Sequence, residues 1–400
     1  MPSSGKICLF YLYYFNEFLK LILAFTPKNT VWGHNSVLVG SKIYYTGGVI
    51  PNETIWKSVI DFSNTPNQFA TQSKEFYYLD LSSPFKINEA ITSWVDLSSS
   101  SIVPPHSWSA FSLCGSDNNA LVMFGGDFGV TNPVSLVFIY DTKTLQWSNP
   151  ITSGQPPNVA TRGVCDFKTG KMYLFAGNLY MFAGDMYILD TKTLTWGGSG
   201  APIPYRFDYT LTLLPNGNIV LIGGVDASGM ANMFTITLYN VNNNTWSSTN
   251  ATAEGGRIIV YGGYTNRGTL IPVSDDLVVL DTDGPIFIWS KANVSTLSPP
   301  SRCYHSATLV DHYMIVAFGR NDLYLPSSTM NEVYILDIRD KFNYKWVNEF
   351  RPDNHNSSNT TTESSSTNSS PTNINIALIA STATLAFLFI LAISLLTFFY

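Results

Sequence analysis

A tryptophan recurs through the middle of this chain about every fifty residues, and that period constrains the fold more than any other feature. The residues are Trp94, Trp147, Trp196, Trp246, Trp289 and Trp346, separated by 53, 49, 50, 43 and 57 positions. About half a period earlier, a hydrophobic run ends in a small-residue pair. The copies read Tyr-Thr-Gly47-Gly48, Met-Phe-Gly125-Gly126, Leu-Phe-Ala176-Gly177, Leu-Ile-Gly223-Gly224, Val-Tyr-Gly262-Gly263 and, last, Ala-Phe-Gly319-Arg320. Between pair and tryptophan lies a run closed by an acid or amide: Tyr-Tyr-Leu-Asp80, Phe-Ile-Tyr-Asp141, Tyr-Ile-Leu-Asp190, Thr-Leu-Tyr-Asn240, Val-Val-Leu-Asp281 and Tyr-Ile-Leu-Asp337. A fourth run precedes the pair, as in His34-Asn-Ser-Val-Leu-Val and His305-Ser-Ala-Thr-Leu-Val.

Each unit therefore holds four short runs rich in Val, Ile, Tyr, Phe and Thr between turn residues, the pattern of strands. A four-stranded sheet cannot bury both faces alone, so copies must stack, and radial stacking closes them into a propeller. The residue types suit that geometry. Paired glycines turn the chain where a Cβ would clash. The tryptophan fills the gap between neighbouring sheets. The Asp or Asn holds the turn after the third strand by accepting from its own backbone.

The combined Gly-Gly, aromatic–Asp and Trp pattern resembles the kelch-repeat family over residues 31–350. The resemblance implies an all-β fold, a six-bladed kelch-type β-propeller. Three departures stand out. From Trp246 to Gly262 there are 16 positions, whereas Trp147 to Gly177 and Trp289 to Gly319 span 30, so blade five lacks its first strand. Blade one carries an insertion over residues 49–75. The last copy has Arg320 where the second glycine belongs.

In the kelch fold the first strand of each blade lines a central channel. By position in the repeat, His106, Arg162, Arg206 and Arg302 stand at equivalent places opening first strands. The resemblance implies that arginines there reach a ligand face, and guanidinium binds carboxylate or sulfate in bidentate fashion; the alternative is that each braces a neighbouring blade. His34, Ser109, Cys165, Tyr209 and His305 occupy the next ring.

Composition excludes several classes. Charged residues are only 12%, net charge is −6, and 22 Lys+Arg make no basic stripe for nucleic acid. Four Cys with no CxxC pair, and five His, do not read as a zinc or iron–sulfur protein. Cys114, Cys165 and Cys303 fall in first strands and are expected to be buried free thiols. The glycine pairs end strands and open no helix, so they are not nucleotide loops.

The ends differ from the middle. Residues 376–400 are uncharged and long enough for a helix of about 30 Å, a transmembrane helix, or else a GPI-signal tail. Residues 351–375 are a Ser/Thr/Asn-rich linker, read as a flexible stalk. Residues 1–25 resemble a signal peptide interrupted by Asn16, Glu17 and Lys20, with an uncleaved anchor as the alternative. Sequons begin at Asn52, Asn243, Asn250, Asn293, Asn356, Asn359 and Asn368, and they favour an extracellular or lumenal propeller.

These readings combine into a membrane-tethered extracytoplasmic protein, single-pass or GPI-anchored. Its propeller recognises a protein, peptide or glycan through one face, without a cofactor. The competing class is a galactose-oxidase-like carbohydrate oxidase, the one reading that calls for copper. A third reading is an intracellular tail-anchored scaffold.

Overall fold

The computed structural model of the chain describes residues 25–27 and 31–353, apart from 52–69, 88, 90–92, 116, 159–160, 178–183, 201–202, 204–205, 227–228, 234, 249–255, 267–269, 274–276, 283–285 and 322–331. Apart from Phe25 and residues 351–353, the segments read as signal peptide, stalk and membrane helix lie outside the described residues, as do the sequons at Asn52, Asn250, Asn356, Asn359 and Asn368. Among the described residues no helix is long and apolar enough to cross a membrane.

Six antiparallel sheets follow one another in chain order. Five have the inner, second, third, outer sequence of a propeller blade. Blade one comprises Asn35–Val39, Lys42–Thr46, Phe76–Asp80 and Trp94–Asp96. Blade two comprises Ala110–Cys114, Ala120–Phe124, Val137–Asp141 and Gln146–Ser148. Blade three comprises Thr161–Asp166, Lys171–Gly177, Gly184–Asp190 and Thr195–Gly200. Blade four comprises Phe207–Leu213, Asn218–Asp226, Thr237–Asn240 and Thr245–Ser248. Blade six comprises Ser306–Val310, Tyr313–Ala317, Val333–Asp337 and Lys345–Val347. Among the described residues blade five has three strands, Arg257–Tyr261, Leu277–Asp281 and Ile288–Lys291, and none takes the inner position, in keeping with the short interval. The insertion in blade one starts and ends as a two-stranded ladder, Val49–Pro51 with Ala70–Gln72.

The tryptophans fill the seams between sheets. Trp147 packs on Phe76 of blade one at 4.9 Å, Trp196 on Phe124 of blade two at 4.7 Å, and Trp346 on Tyr261 of blade five at 5.1 Å. Edge-on and tilted ring contacts at these separations add to the area they bury. The terminal acids hold their turns: Asp141 Oδ1 accepts from the Lys143 and Thr144 amides, both at 2.8 Å.

The ring closes. His34 Nε2 lies 2.9 Å from Ser306 Oγ, and Ser36 Oγ lies 2.8 Å from Thr308 Oγ1, joining blades one and six. The pair Glu349–Phe350 adds a latch by pairing with Phe85–Lys86 of blade one. Trp289 Nε1 donates to the Met233 carbonyl across blades four and five, and Arg257 to the Lys341 carbonyl across blades five and six. Closure therefore survives the short fifth blade.

Two sequence expectations are corrected here. Cys114 and Cys165 are not free thiols. They stand on the inner strands of adjacent blades with Cα atoms 5.6 Å apart, and they form a disulfide; Cys303 is free and buried. In the last repeat the turn pair is Phe318-Gly319, not Gly319-Arg320. The Phe318 amide bonds Glu332 O as the Gly47 amide bonds Glu75 O. The Gly319 amide reaches Val31 O in the next blade as the Gly48 amide reaches His106 O. Phe318 takes the left-handed conformation of a first glycine (φ 59°). Its ring is fully buried beside His34, Tyr45 and Trp94. Burial of that ring offsets the backbone cost of about 1–2 kcal/mol.

Candidate ligand-binding site at the channel mouth

Four of the described inner strands are entered through one residue in the left-handed region. In four blades these residues are Gly33, Trp108, Asp208 and Tyr304, with φ of 64°, 57°, 56° and 57°. By ladder register each stands opposite the second member of the turn pair, Gly48, Gly126, Gly224 or Gly319, which is left-handed too. The glycine is required: a Cβ on Gly126 would meet the Ser107 carbonyl at 2.6 Å. The two kinked backbones take the side chain out of the sheet.

Three of these side chains meet although their blades are not neighbours, which places them on the channel axis. The Trp108 ring of blade two contacts Tyr304 of blade six edge-on at 4.8 Å. It passes over Gly33, where a Cβ would lie 2.8 Å from the indole. Asp208 Oδ2 of blade four accepts from Tyr304 at 3.3 Å and from Tyr264 of blade five at 2.6 Å. Tyr264 and Tyr304 face each other at 5.5 Å. Burial raises the Asp208 pKa against the opposing pull of the two hydroxyls and Arg162. Burial, with Asp208 adding to it, raises both phenols. The mouth is thus a hydrogen-bonding carboxylate framed by three large rings.

Of the residues selected from sequence, Arg162 reaches this channel. Its NH1 donates to Asn35 Oδ1 of blade one at 3.0 Å, across blade two. It does so because it is not equivalent to the others: Arg162 faces Phe175 in the ladder, as Asn35 faces Thr46. Blade three's counterpart of Arg302 is Asn158, whose Nδ2 donates to Gly126 O at 2.9 Å. Cys165 likewise lies four places beyond the His34 level. Only hydrogen-bond register reveals the shift, because the entry to blade three carries no residue that marks it.

The other three are buried braces. His106 bonds Pro104 O through Nδ1 at 2.9 Å and Thr46 Oγ1 through Nε2 at 3.2 Å, and burial pushes its pKa down to about 4. Arg302 is 0% exposed, donates to Phe318 O at 3.1 Å and lies over the Tyr334 ring at 4.3 Å. Arg206 donates to Gly223 O at 3.4 Å, and its NH2 lies 3.9 Å from Asp226 Oδ2.

His34 and His305 line the channel below the mouth. Burial, reinforced by the charge of Arg162 and, for His305, first of Arg302, holds each near a pKa of about 3, so both are neutral. Among the described residues no group of three or more His, Cys, Asp or Glu side chains is placed to hold a metal ion. Cys303 has its thiol 3.5 Å from Arg320 O, and burial raises its pKa to about 12. The sequons Asn243 and Asn293 are exposed, and Asn293 Nδ2 donates to Phe342 O at 2.9 Å.

The KLHDC2/KLHL20/DRC7 Kelch-repeats domain model matches residues 33–254, more than half of the chain. The chain belongs to the kelch-repeat family. Among curated relatives, this kelch protein is 29% identical over 154 residues to Adagio protein 3 of Arabidopsis thaliana, covering 34% of this chain and 24% of that one. Kelch domain-containing protein 3 of Rattus norvegicus is 28% identical over 158 residues, 36% of this chain and 39% of the relative. Acyl-CoA-binding domain-containing protein 5 of Arabidopsis thaliana is 22% identical over 220 residues, 48% and 33%. The matched region spans less than half the length of each of these relatives. The solved structure of YjhT superposes with a TM-score of 0.56 at 14% identity, covering 81% of this chain and 99% of that one. That likeness concerns the fold.

Proposed function

We propose that this kelch propeller is the recognition domain of a membrane-tethered, extracytoplasmic protein that binds a protein or peptide partner at the channel mouth. The observation that carries the reading is convergence of Trp108, Asp208, Tyr264 and Tyr304 from four blades onto one opening. Rings with few rotatable bonds, held by a rigid scaffold, bind with little loss of side-chain freedom. Asp208 supplies an acceptor for an amine, guanidinium or amide of the partner. The sequence reading offered an acidic partner on an arginine ring beside a bracing role; with three of those groups buried, the mouth favours a cationic or hydrogen-bond-donating partner.

The outer-side location draws on the Cys114–Cys165 disulfide, which persists in oxidising compartments. The seven sequons and the apolar segment at 376–400 point the same way. The test has two parts. Glycosidase treatment of the full chain from a secretory host should increase its gel mobility; an unchanged band sinks the location. Partners captured by the full chain should be lost with Trp108→Ala or Asp208→Asn while the fold is kept. Equal capture by all three proteins would remove the mouth from the binding site.

A further inference from the structure

At the channel mouth Tyr304 stands at 80° to Trp108, with ring centres 4.8 Å apart, and at 52° to Tyr264, with centres 5.5 Å apart. Neither pair is stacked face on face. All three rings are half-buried and Asp208 is exposed, so ring surface and carboxylate both reach solvent. The kinked entries to the inner strands hold them there: Trp108, Asp208 and Tyr304 have φ of 57°, 56° and 57°, and the Trp108 indole rests on Gly33.

Such a group of side chains attracts a cation. The face of an aromatic ring carries partial negative charge, which holds an ammonium lying within about 6 Å of the ring centre. Asp208 adds a full negative charge. Its Oδ2 accepts from both phenol hydroxyls, at 2.6 Å from Tyr264 and 3.3 Å from Tyr304, the pattern of an ionised carboxylate. Arg162 opposes a cation through space, but its NH1 is turned to Asn35 Oδ1 at 3.0 Å.

The arrangement also selects among cations. A primary ammonium and a guanidinium each bring several N–H donors, and a donor left without an acceptor costs free energy once water is excluded. Both phenol hydroxyls are turned onto Asp208 here, and the oxygen they reach already receives two bonds. The mouth thus offers negative charge and ring surface more than it offers lone pairs. A quaternary ammonium suits that balance. It keeps the positive charge, has no N–H to satisfy, and presents methyl groups that bury against the rings.

We propose that the mouth takes a quaternary ammonium group, carried by the partner as a trimethylated lysine side chain. The inference rests on the mouth being the binding site, as proposed above, and names the chemistry read there. Unmethylated lysine and arginine are the weaker ligands, although each carries the same charge.

The test titrates the full chain in detergent with Nα-acetyl-trimethyl-lysine amide and follows the heat. Binding is expected with a dissociation constant of about 1 mM or below. Nα-acetyl-lysine amide, and a neutral isostere with tert-butyl in place of trimethylammonium, should each bind about tenfold or more weakly. Trp108→Phe keeps a ring and should hold the affinity within about threefold, whereas Trp108→Leu keeps apolar bulk without a ring and should weaken it about tenfold. Tyr264→Leu, in the strand Tyr264–Asn266, gives a second reading at a position without left-handed backbone and should weaken binding likewise. Urea midpoints confirm that each variant folds. Failure of the trimethyl-lysine compound to bind at about 10 mM overturns the proposal. So does equal binding of the neutral isostere or of unmethylated lysine, or indifference to both leucine variants. Tighter binding of phosphocholine than of the trimethyl-lysine compound would assign the group to a headgroup and reject the peptide source. Partner capture that depends on Trp108, with no quaternary compound bound, would reject the ammonium and leave the mouth reading intact.

Discussion

Acid should unfold this propeller well above the range in which carboxylates titrate. His34, His106 and His305 are held at about 3, 4 and 3, chiefly by burial. Each is neutral in the native state, and each returns to about 6.5 when the chain unfolds. Below pH 6.5 the unfolded chain binds protons that the native one refuses. Stability is thus full above about pH 6.5 and falls until the native values are reached. The slope is about 1.4 kcal/mol per pH unit for each group. Between pH 7 and pH 5 each histidine costs about 2 kcal/mol and the three together about 6 kcal/mol, comparable with the whole stability of many domains. Asp208 acts in the opposite sense, since its raised pKa relieves a penalty as pH falls. Urea unfolding followed by tryptophan fluorescence at pH 7, 6 and 5 measures the slope, and His106→Gln should reduce it by about a third. A stability change below about 1 kcal/mol between pH 7 and 5 would refute the burial argument.

Other predictions concern the seams. Phe318→Gly relieves a left-handed side chain but empties a buried aromatic cluster, and it should destabilise by about 2–4 kcal/mol in urea unfolding. Arg302→Ala should cost about 3 kcal/mol by losing the Phe318 carbonyl bond and the Tyr334 stack, without changing capture at the mouth. Replacing both Cys114 and Cys165 by Ser opens a link across 51 positions and should lower stability by up to about 4 kcal/mol, read as a shift in the urea midpoint. An unchanged midpoint would mean the pair contributes nothing.

The repeat made much of the fold legible. Six tryptophans at about fifty residues, six turn signals and six runs closed by an acid or amide specify blades, their order and the short fifth repeat, because each reports a local requirement. A strand composition, a turn conformation and a seam-filling ring are all satisfied within one repeat. What escaped the sequence was register. The placement of Arg162, four positions from where the repeat suggested, and of the turn pair Phe318-Gly319, shifted by one, depend on which amide meets which carbonyl, which the pattern of residue types leaves open. Phe318 adopts a glycine's conformation because a neighbouring blade buries its ring, a reason that lies outside its own repeat.

The mouth was invisible for the same reason. Trp108, Asp208 and Tyr304 share one repeat position, just before residues that did attract attention, but their side-chain types do not match. They become a site only when ring closure brings blades two, four, five and six around one axis. The sequence by itself determined the family, the blade count and the short fifth repeat, since these follow from local composition and chain length. The tertiary structure alone decided that three of the four selected basic residues are buried, that Cys114 meets Cys165, and that a carboxylate stands among rings at the channel. The disulfide and the carboxylate–ring cluster depend on contacts 51 to 96 positions apart, which only packing of one blade against another creates.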